Sequence, residues 1–553
     1  MVILDRHDTV LPPDRKPRVE NIYAAQKIIA DISSGLYRSP AAALKELVAN
    51  GYDADAPEVI IMTDVPHFQT LVVRDTGSGM SIDDFLEVLR HIGGSRKRIN
   101  GDTTPKKHRK LIGRIGIGML AVAQLGYRFY VTSSMEGSPT RFIAEVDLSP
   151  FHKDDAALKS MGRFKDDDQV ELGAVRYVDD VPENEDVHYT VITVPDAKKG
   201  LISELTGAVR NAVGYQERVS VEKPLNNFRQ LIQIVSTSQR VDAELDGYYY
   251  LLWELGLLCP VNYIDGGPFE MGPFGEYGRH IEGVQGVEIP TIEDFRVVVD
   301  GIELKRPQLF PNPSAYDYSS PNPKVYPISF DRMVAGRQLK FSGYIYTQQP
   351  RIDPEEHRGV HIRIRNVGIG RYDRSWLGYP FNEGLKFGQI TGEVYVDNGL
   401  EAALNIDRDS FRETDVHYQA LRAYLWNELH KVIFPDFKSR QALFSASRKF
   451  ENNEASVRAF NDLLLQLPAP LIEDVQAVTA VTPALSTWIG TTGTALKLDK
   501  NQWAQFANTN GLGKDAKERF TKVLRVLMSS EILSDMDQED VEIFLRALAN
   551  AVR

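Results

Sequence analysis

The chain has 553 residues, 42% of them hydrophobic and 25% charged, with a formal net charge of -12. That balance fits a soluble globular protein and disfavours indiscriminate binding to phosphate backbones, although a local basic patch is compatible with it. The single cysteine, Cys259, excludes an internal disulfide framework and a multi-cysteine metal site; its setting in WELGLLCP predicts a buried apolar role. At about one domain per 150 residues, three or four domains are expected. No run of 18 apolar residues suggests a membrane span, and MVILDRHDTV lacks the apolar core of a signal peptide, so a cytoplasmic location is expected.

In chain order, residues 1–20 are polar, carry Pro12, Pro13 and Pro17, and read as an N-terminal arm. From 21 to about 196, helical and strand-like segments interleave. VIIM (59–62) and LVVR (71–74) predict a hairpin turning near Pro66, and YRFYVTS, RFIAEVDL, VRYVDD and HYTVITV predict further strands. Residues 201–290 mix helical stretches with the Gly/Pro-rich loop GGPFEMGPFGEYG. Strands return from 293 (FRVVVDG, KFSGYIYT, GVHIRIRN, GEVYVD) and end in a helix near 415–433. Residues 436–553 read as mainly helical, divided by a Pro/Thr/Ala-rich linker at 467–490.

Three segments carry chemistry. In SPAAALKELVANGYDAD (39–55), Ser39 suits an N-cap and Pro40 the first helical position. Glu46, Asn50 and Asp53 fall within roughly 60° on a helical wheel, opposite Leu44 and Val48. A polar face turned to water is the plain reading of such a helix; a carboxylate, a carboxamide and a second carboxylate lining a site is the sharper one. In LVVRDTGSGM (71–80), Asp75 follows an apolar strand. Asp-Thr-Gly-Ser is also how an aspartic protease presents its carboxylate, but that chemistry needs two such loops sharing a proton, and the chain has no second one. In LIGRIGIGMLAVAQLG (111–126), Gly113, Gly116 and Gly118 precede an apolar helix, a combination that lets backbone N–H groups approach phosphates. The spacing matches neither a Walker loop nor a dinucleotide fingerprint.

The order E-x-x-x-N-x-x-D-A, then D-x-G-x-G, then a glycine-rich helix start resembles the GHKL (Bergerat-fold) ATPases: gyrase B, the ninety-kilodalton heat-shock chaperones, sensor histidine kinases, MutL and MORC proteins. The matching residues are ELVANGYDA (46–54), DTGSGM (75–80) and GRIGIGM (113–119). HYTVITV would supply the last box, with Thr190 near the adenine, although the family's preceding glycine is Tyr189 here. The resemblance implies an α+β fold: a mixed sheet with helices on one face, binding ATP and Mg²⁺. It implies that Asp75 accepts from the adenine amine, with Gly77 beside it, Gly79 clearing room for the base and Met80 forming a wall. Asn50 would complete the Mg²⁺ shell, Asp53 would buttress the site, and Glu46 would orient or deprotonate the attacking water. Gly113, Gly116, Gly118 and Met119 would lie at the phosphates. A glutamate in this role and the lack of a histidine in NIYAAQKIIADISSG favour hydrolysis over phosphotransfer to histidine.

Residues 91–110 (HIGGSRKRINGDTTPKKHRK) correspond to the family's lid. From Arg96 to Arg114 the chain carries eight Lys/Arg against one acid, Asp102. Either this is a solvated loop, or Ser95 or Lys97 touches phosphate or the lid meets an acidic partner such as nucleic acid. Farther on, RGVHIRIRNVGIG (358–370) and GEVYVDNGLEAALNIDRDSF (392–411) resemble the chaperones' ribosomal-S5-domain-2-like domain, whose arginine reaches the terminal phosphate. That puts Arg408 in a catalytic role, with Arg365 and Lys386 as alternatives and pairing to Asp407 or Asp409 as the plain reading.

The expected organisation is an arm (1–20), a GHKL domain (21–200), a helical connection (201–290), an S5-like transducer (291–435) and a helical C-terminal region (436–553). In the last, Phe544, Leu545, Leu548 and Val552 form an apolar stripe, by default core. The expected activity is slow Mg²⁺-dependent ATP hydrolysis driving a switch or clamp, with ATP-dependent homodimerisation. The target is expected to be nucleic acid, in prokaryotic genome defence, or alternatively the protein clients of a heat-shock-90-like chaperone.

Overall fold

The computed structural model describes residues 10–25, 39–90, 103–112, 118–149, 164–166, 169–208, 219–269, 281–310, 321–405, 408–445, 489–492, 495–498, 500–529 and 538–552. The chain divides into two compact units, 1–435 and 436–553.

The first unit is built on a ten-stranded mixed sheet. Its strands are β1 (Arg18–Ala25), β2 (Glu58–Met62), β3 (Leu71–Asp75), β4 (Arg128–Ser134), β5 (Thr140–Asp147), β6 (Phe164–Asp166), β7 (Gln169–Pro182), β8 (Tyr189–Val194), β9 (Arg296–Val299) and β10 (Ile302–Glu303). Their order is β1-β7-β5-β4-β8-β3-β2-β9-β10, with β6 paired to β7. Residues 18–20, read from sequence as the end of an arm, already belong to β1 and pair with β7 of the same chain. β2 and β3 form the expected hairpin. The short strand β9, grouped by its sequence with the later strands, instead joins the first sheet, parallel to β2. A parallel pair needs a long crossover, so nothing in the local pattern around 296 reveals its partner.

Helices α1 (Pro40–Asp53), α2 (Ile82–Arg90), α3 (Gly118–Leu125), α4 (Lys199–Leu205), α5 (Phe228–Ser236) and α6 (Gly247–Leu258) accompany this sheet. α1 packs on both α3 and α6. Leu44, Leu47 and Val48 of α1 share one core with Val59 and Ile61 of β2, Phe129 and Val131 of β4, and Leu252 and Leu255 of α6. Ser39 caps α1 by accepting from the Ala42 N–H, with Pro40 at its first turn.

A five-stranded sheet follows, ordered β11-β12-β15-β13-β14. It comprises β11 (Lys324–Val334), β12 (Arg337–Thr347), β13 (Gly359–Ile364), β14 (Val367–Asp373) and β15 (Ile390–Asn398), with α7 (Val416–Glu428) sharing its core through Tyr418, Leu421 and Leu425. A buried polar hub links this sheet to the segment after α6. Glu393 on β15 accepts from the hydroxyls of Tyr263, Tyr372 (3.0 Å) and Tyr395 (2.8 Å), and Arg363 donates to the carbonyls of Leu257 and Cys259. Burial alone would raise the Glu393 pKa, but the His361 ring and the Arg363 and Arg306 guanidinium groups outweigh it and hold the carboxyl well below the usual range. Cys259 is buried, and loss of solvent pushes its thiol up to about 12, an inert structural cysteine.

The second unit contains α8 (Lys500–Thr509), α9 (Lys514–Ser529) and α10 (Gln538–Ala551), and a hairpin of β16 (Ile489–Thr492) and β17 (Ala495–Leu498). The two strands pair antiparallel, Ile489 opposite Leu498 and Thr492 opposite Ala495. Phe544, Leu545, Leu548 and Val552 all lie in this unit's core, packed with Ala507, Phe520 and Leu524. Among the described residues, no helix is long and apolar enough to cross a membrane.

Candidate functional site

Asp75 ends β3 opposite Thr190 of β8, and Thr190 is in turn opposite Ser133 of β4. Directly paired residues project from the same sheet face, so the three side chains stand in a row across three strands. The Gly77 N–H donates to Asp75 Oδ1 at 2.9 Å. Loss of solvation pushes the Asp75 pKa up to about 6, against lowering by the Gly77 N–H and the Arg74 and His188 charges, although part of the residue remains exposed to solvent. Ser133, which sequence reasoning did not single out, accepts from the Met80 N–H at 3.0 Å, donates to the Tyr189 carbonyl at 2.8 Å and lies 3.1 Å from the Thr190 hydroxyl. Tyr189, where the family has glycine, points to the opposite face by strand alternation, and its hydroxyl donates to Glu183 at 2.6 Å. The tyrosine side chain therefore does not crowd the Asp75–Thr190 row.

Three glycines let the backbone close around Asp75. A Cβ on Gly51 of α1 would meet Val59 Cγ2 at 2.6 Å and Asp75 Cβ at 3.0 Å, so this residue allows α1 to lie against the acid. A Cβ on Gly77 would meet the Ala54 carbonyl oxygen at 2.6 Å and Asp75 Oδ1 at 2.8 Å. Gly79 has φ +68°, and a Cβ there would lie 2.0 Å from the Ser134 carbonyl oxygen. The left-handed backbone at Gly79 and its contact with β4 by themselves require glycine there.

The polar face of α1 is buried rather than solvated. Lys45 and Glu46 are 0% and 3% exposed, and Asp53 is also buried. Asp53 Oδ1 accepts from the Ile112 N–H at 2.7 Å, fixing the chain just after the lid. Asp55, missed in the sequence, accepts from Thr104 Oγ1 and from the N–H groups of Lys106 (2.9 Å) and Lys107 (3.3 Å). Arg109 donates to the carbonyls of Ala56 (2.7 Å) and Asp294 (2.6 Å) and stacks on Tyr52 at 4.6 Å. Residues 103–110 therefore form a fastened strap whose basic residues are largely engaged: Lys107 also reaches Asp294 O and Lys110 reaches Asp397 O. Asn50 is half-buried, and among the described residues nothing hydrogen-bonds its carboxamide. Gly118 and Met119 begin α3. Ser95, Lys97, Gly113, Gly116 and Asp407 lie outside the described residues.

The second sheet contributes to the same place. Arg408, in the left-handed region at φ +53° and 7% exposed, donates to Glu46 Oε2 at 2.9 Å and to the Ile112 carbonyl at 2.7 Å. Lys45 Nζ donates to Asp409 Oδ1 at 2.8 Å and lies 3.9 Å from Glu46 Oε1. Arg408 thus pairs with Glu46, and four alternating charges join α1 to the loop after β15. Arg365 donates to the Leu111 carbonyl and to Glu401 at 2.9 Å, whereas Lys386 pairs with Glu383 in its own loop at 3.0 Å.

Among the described residues no group of three His, Cys, Asp or Glu is arranged to hold a metal. Residues 37–169 match the family model described as histidine kinase-, DNA gyrase B-, and HSP90-like ATPase. The chain is also similar to a protein of Herpetosiphon aurantiacus named "Putative type II restriction enzyme HgiDII", with 36% identity over 112 residues. That match covers 20% of this chain and 18% of the relative's length. Residues 37–169 therefore form a domain of the histidine kinase-, DNA gyrase B- and HSP90-like ATPase family.

Proposed function

We propose that the chain hydrolyses ATP and uses it as a conformational switch, in a clamp acting on nucleic acid in prokaryotic genome defence. The observation that carries this reading is the Glu46–Arg408 pair. It brings a carboxylate from the ATPase domain and a guanidinium from the second sheet to one buried point. The base would seat against Asp75 and Thr190. Its phosphates would run toward the start of α3 and the Asn50 side of α1. The Asn50 oxygen would complete the coordination of Mg²⁺, which neutralises phosphate charge when bound.

Glu46 then accepts the proton of the attacking water, and Arg408 turns its remaining donors to the terminal phosphate. While ATP is intact, its phosphate competes with Glu46 for Arg408; after hydrolysis the original ion pair reforms. ATP thus biases the relation of two sheets by differential contacts, which is what a switch requires. The nucleic-acid target is supported by the name of the restriction-enzyme relative and by the basic composition of 96–114.

The test is ATP binding and turnover of the unaltered chain beside Glu46→Ala. The variant is expected to retain ATP binding while turnover falls by about 100-fold or more; undiminished turnover refutes the base assignment. Stimulation by DNA that declines steeply with salt is expected for the clamp. Stimulation by unfolded protein but not by DNA would refute the target.

A further inference from the structure

Hydrogen-bond directions around Ser133 constrain what the base pocket can recognise. A serine hydroxyl has one hydrogen to give and two lone pairs to receive. The Met80 N–H occupies one lone pair at 3.0 Å, and the hydrogen goes to the Tyr189 carbonyl at 2.8 Å. One lone pair remains, and the Thr190 hydroxyl lies 3.1 Å away. Thr190 must therefore donate to Ser133, which leaves only lone pairs on Thr190 for anything beside Asp75. Both hydroxyls are buried, at 1% and 6% exposure, so water does not readily exchange into this arrangement.

We propose that Ser133 is a positioning residue for nucleobase specificity: it locks the Thr190 hydroxyl as an acceptor. The inference rests on the reading that a nucleotide base seats at Asp75. A base edge at that point meets two acceptors, the Asp75 carboxylate and the Thr190 oxygen. The adenine 6-amine has hydrogens to offer; the guanine 6-carbonyl has none and would face both acceptors unpaired. Ser133 also ties the Met80 backbone to β4, so the loop after Asp75 and the Thr190 hydroxyl are set by one side chain.

The experiment is calorimetric titration of the full chain with Mg·ATP and with Mg·GTP, read as the ratio of the two dissociation constants. The unaltered protein is expected to prefer ATP by about a hundredfold or more. Ser133→Ala frees the Thr190 hydroxyl to rotate and donate to the guanine carbonyl, and the preference is expected to shrink about tenfold. Ser133→Thr keeps the hydroxyl and should keep the preference. Adding Thr190→Val to Ser133→Ala removes the freed donor and should recover part of the lost preference, since Asp75 still faces the guanine carbonyl unpaired. If Ser133→Ala does not fold, Ser133→Cys, close in shape but a poor acceptor, is expected to move the ratio in the same direction. Equal weakening toward both nucleotides, as a merely structural role would give, overturns the proposal, as does a double variant that recovers none of the preference. If the unaltered chain binds neither nucleotide, the base-pocket reading itself fails and the proposal with it, an outcome distinct from an unchanged ratio.

Discussion

Replacing Asp75 by asparagine should stabilise the protein while abolishing the recognition for which the acid is suited. Asp75 titrates near 6 in the folded chain and near 3.8 in its ordinary state, because burial disfavours its charge more than the Gly77 N–H and the neighbouring positive groups favour it. A carboxyl whose folded pKa is raised binds its proton more tightly folded than unfolded. Its contribution is therefore fully present below about pH 4, is lost as pH rises to about 6, and is a constant cost above that. The difference corresponds to about 3 kcal/mol at 1.36 kcal/mol per pKa unit. Because part of the residue is exposed to solvent, about 1–3 kcal/mol is the expected range. Asparagine keeps an oxygen for the Gly77 N–H and carries no charge. Thermal unfolding of Asp75→Asn beside the unaltered chain should show a higher midpoint for the variant at pH 8, converging at pH 4, together with loss of ATP binding at pH 8. A midpoint difference that does not vary with pH, or a variant less stable at pH 8 than at pH 4 relative to the parent, would refute the reasoning.

Arg408→Ala leaves the Glu46 carboxylate and the Ile112 carbonyl buried without their partner. A loss of about 3–5 kcal/mol is expected, visible as a lowered denaturation midpoint of the first unit, along with slower ATP turnover. Gly79→Ala puts a methyl 2.0 Å from the Ser134 oxygen on a backbone at φ +68°; a loss of at least about 2 kcal/mol and much weaker ATP binding should follow, measured by thermal unfolding and calorimetry. Asp55→Ala removes the acceptor shared by Thr104, Lys106 and Lys107. Hydrogen exchange at Lys106 and Lys107 should accelerate about tenfold or more while the exchange of β4 and β8 is unchanged.

Local chemistry made part of this protein legible in its sequence. Ser39 and Pro40 mark the start of α1, the 3.6-residue period puts Glu46, Asn50 and Asp53 on one side, and the β-branched runs announce β2, β3 and β8, because caps, helical phase and strand propensity act within a few residues. The same locality let the ordered boxes identify the α+β ATPase layer. Phase says that a helix has a polar side; it does not say what covers that side. Only tertiary structure decided that the polar face of α1 is buried, that Arg408 meets Glu46 across more than three hundred intervening residues, and that β9 joins β2 in parallel. Ser133 and Gly51 were silent for the same reason. A serine in a strand and a glycine in a helix acquire meaning only from strand register and from what lies against them. Those contacts are made by chain segments far apart in sequence, where hydrogen-bond satisfaction and close packing, not local propensity, set the outcome.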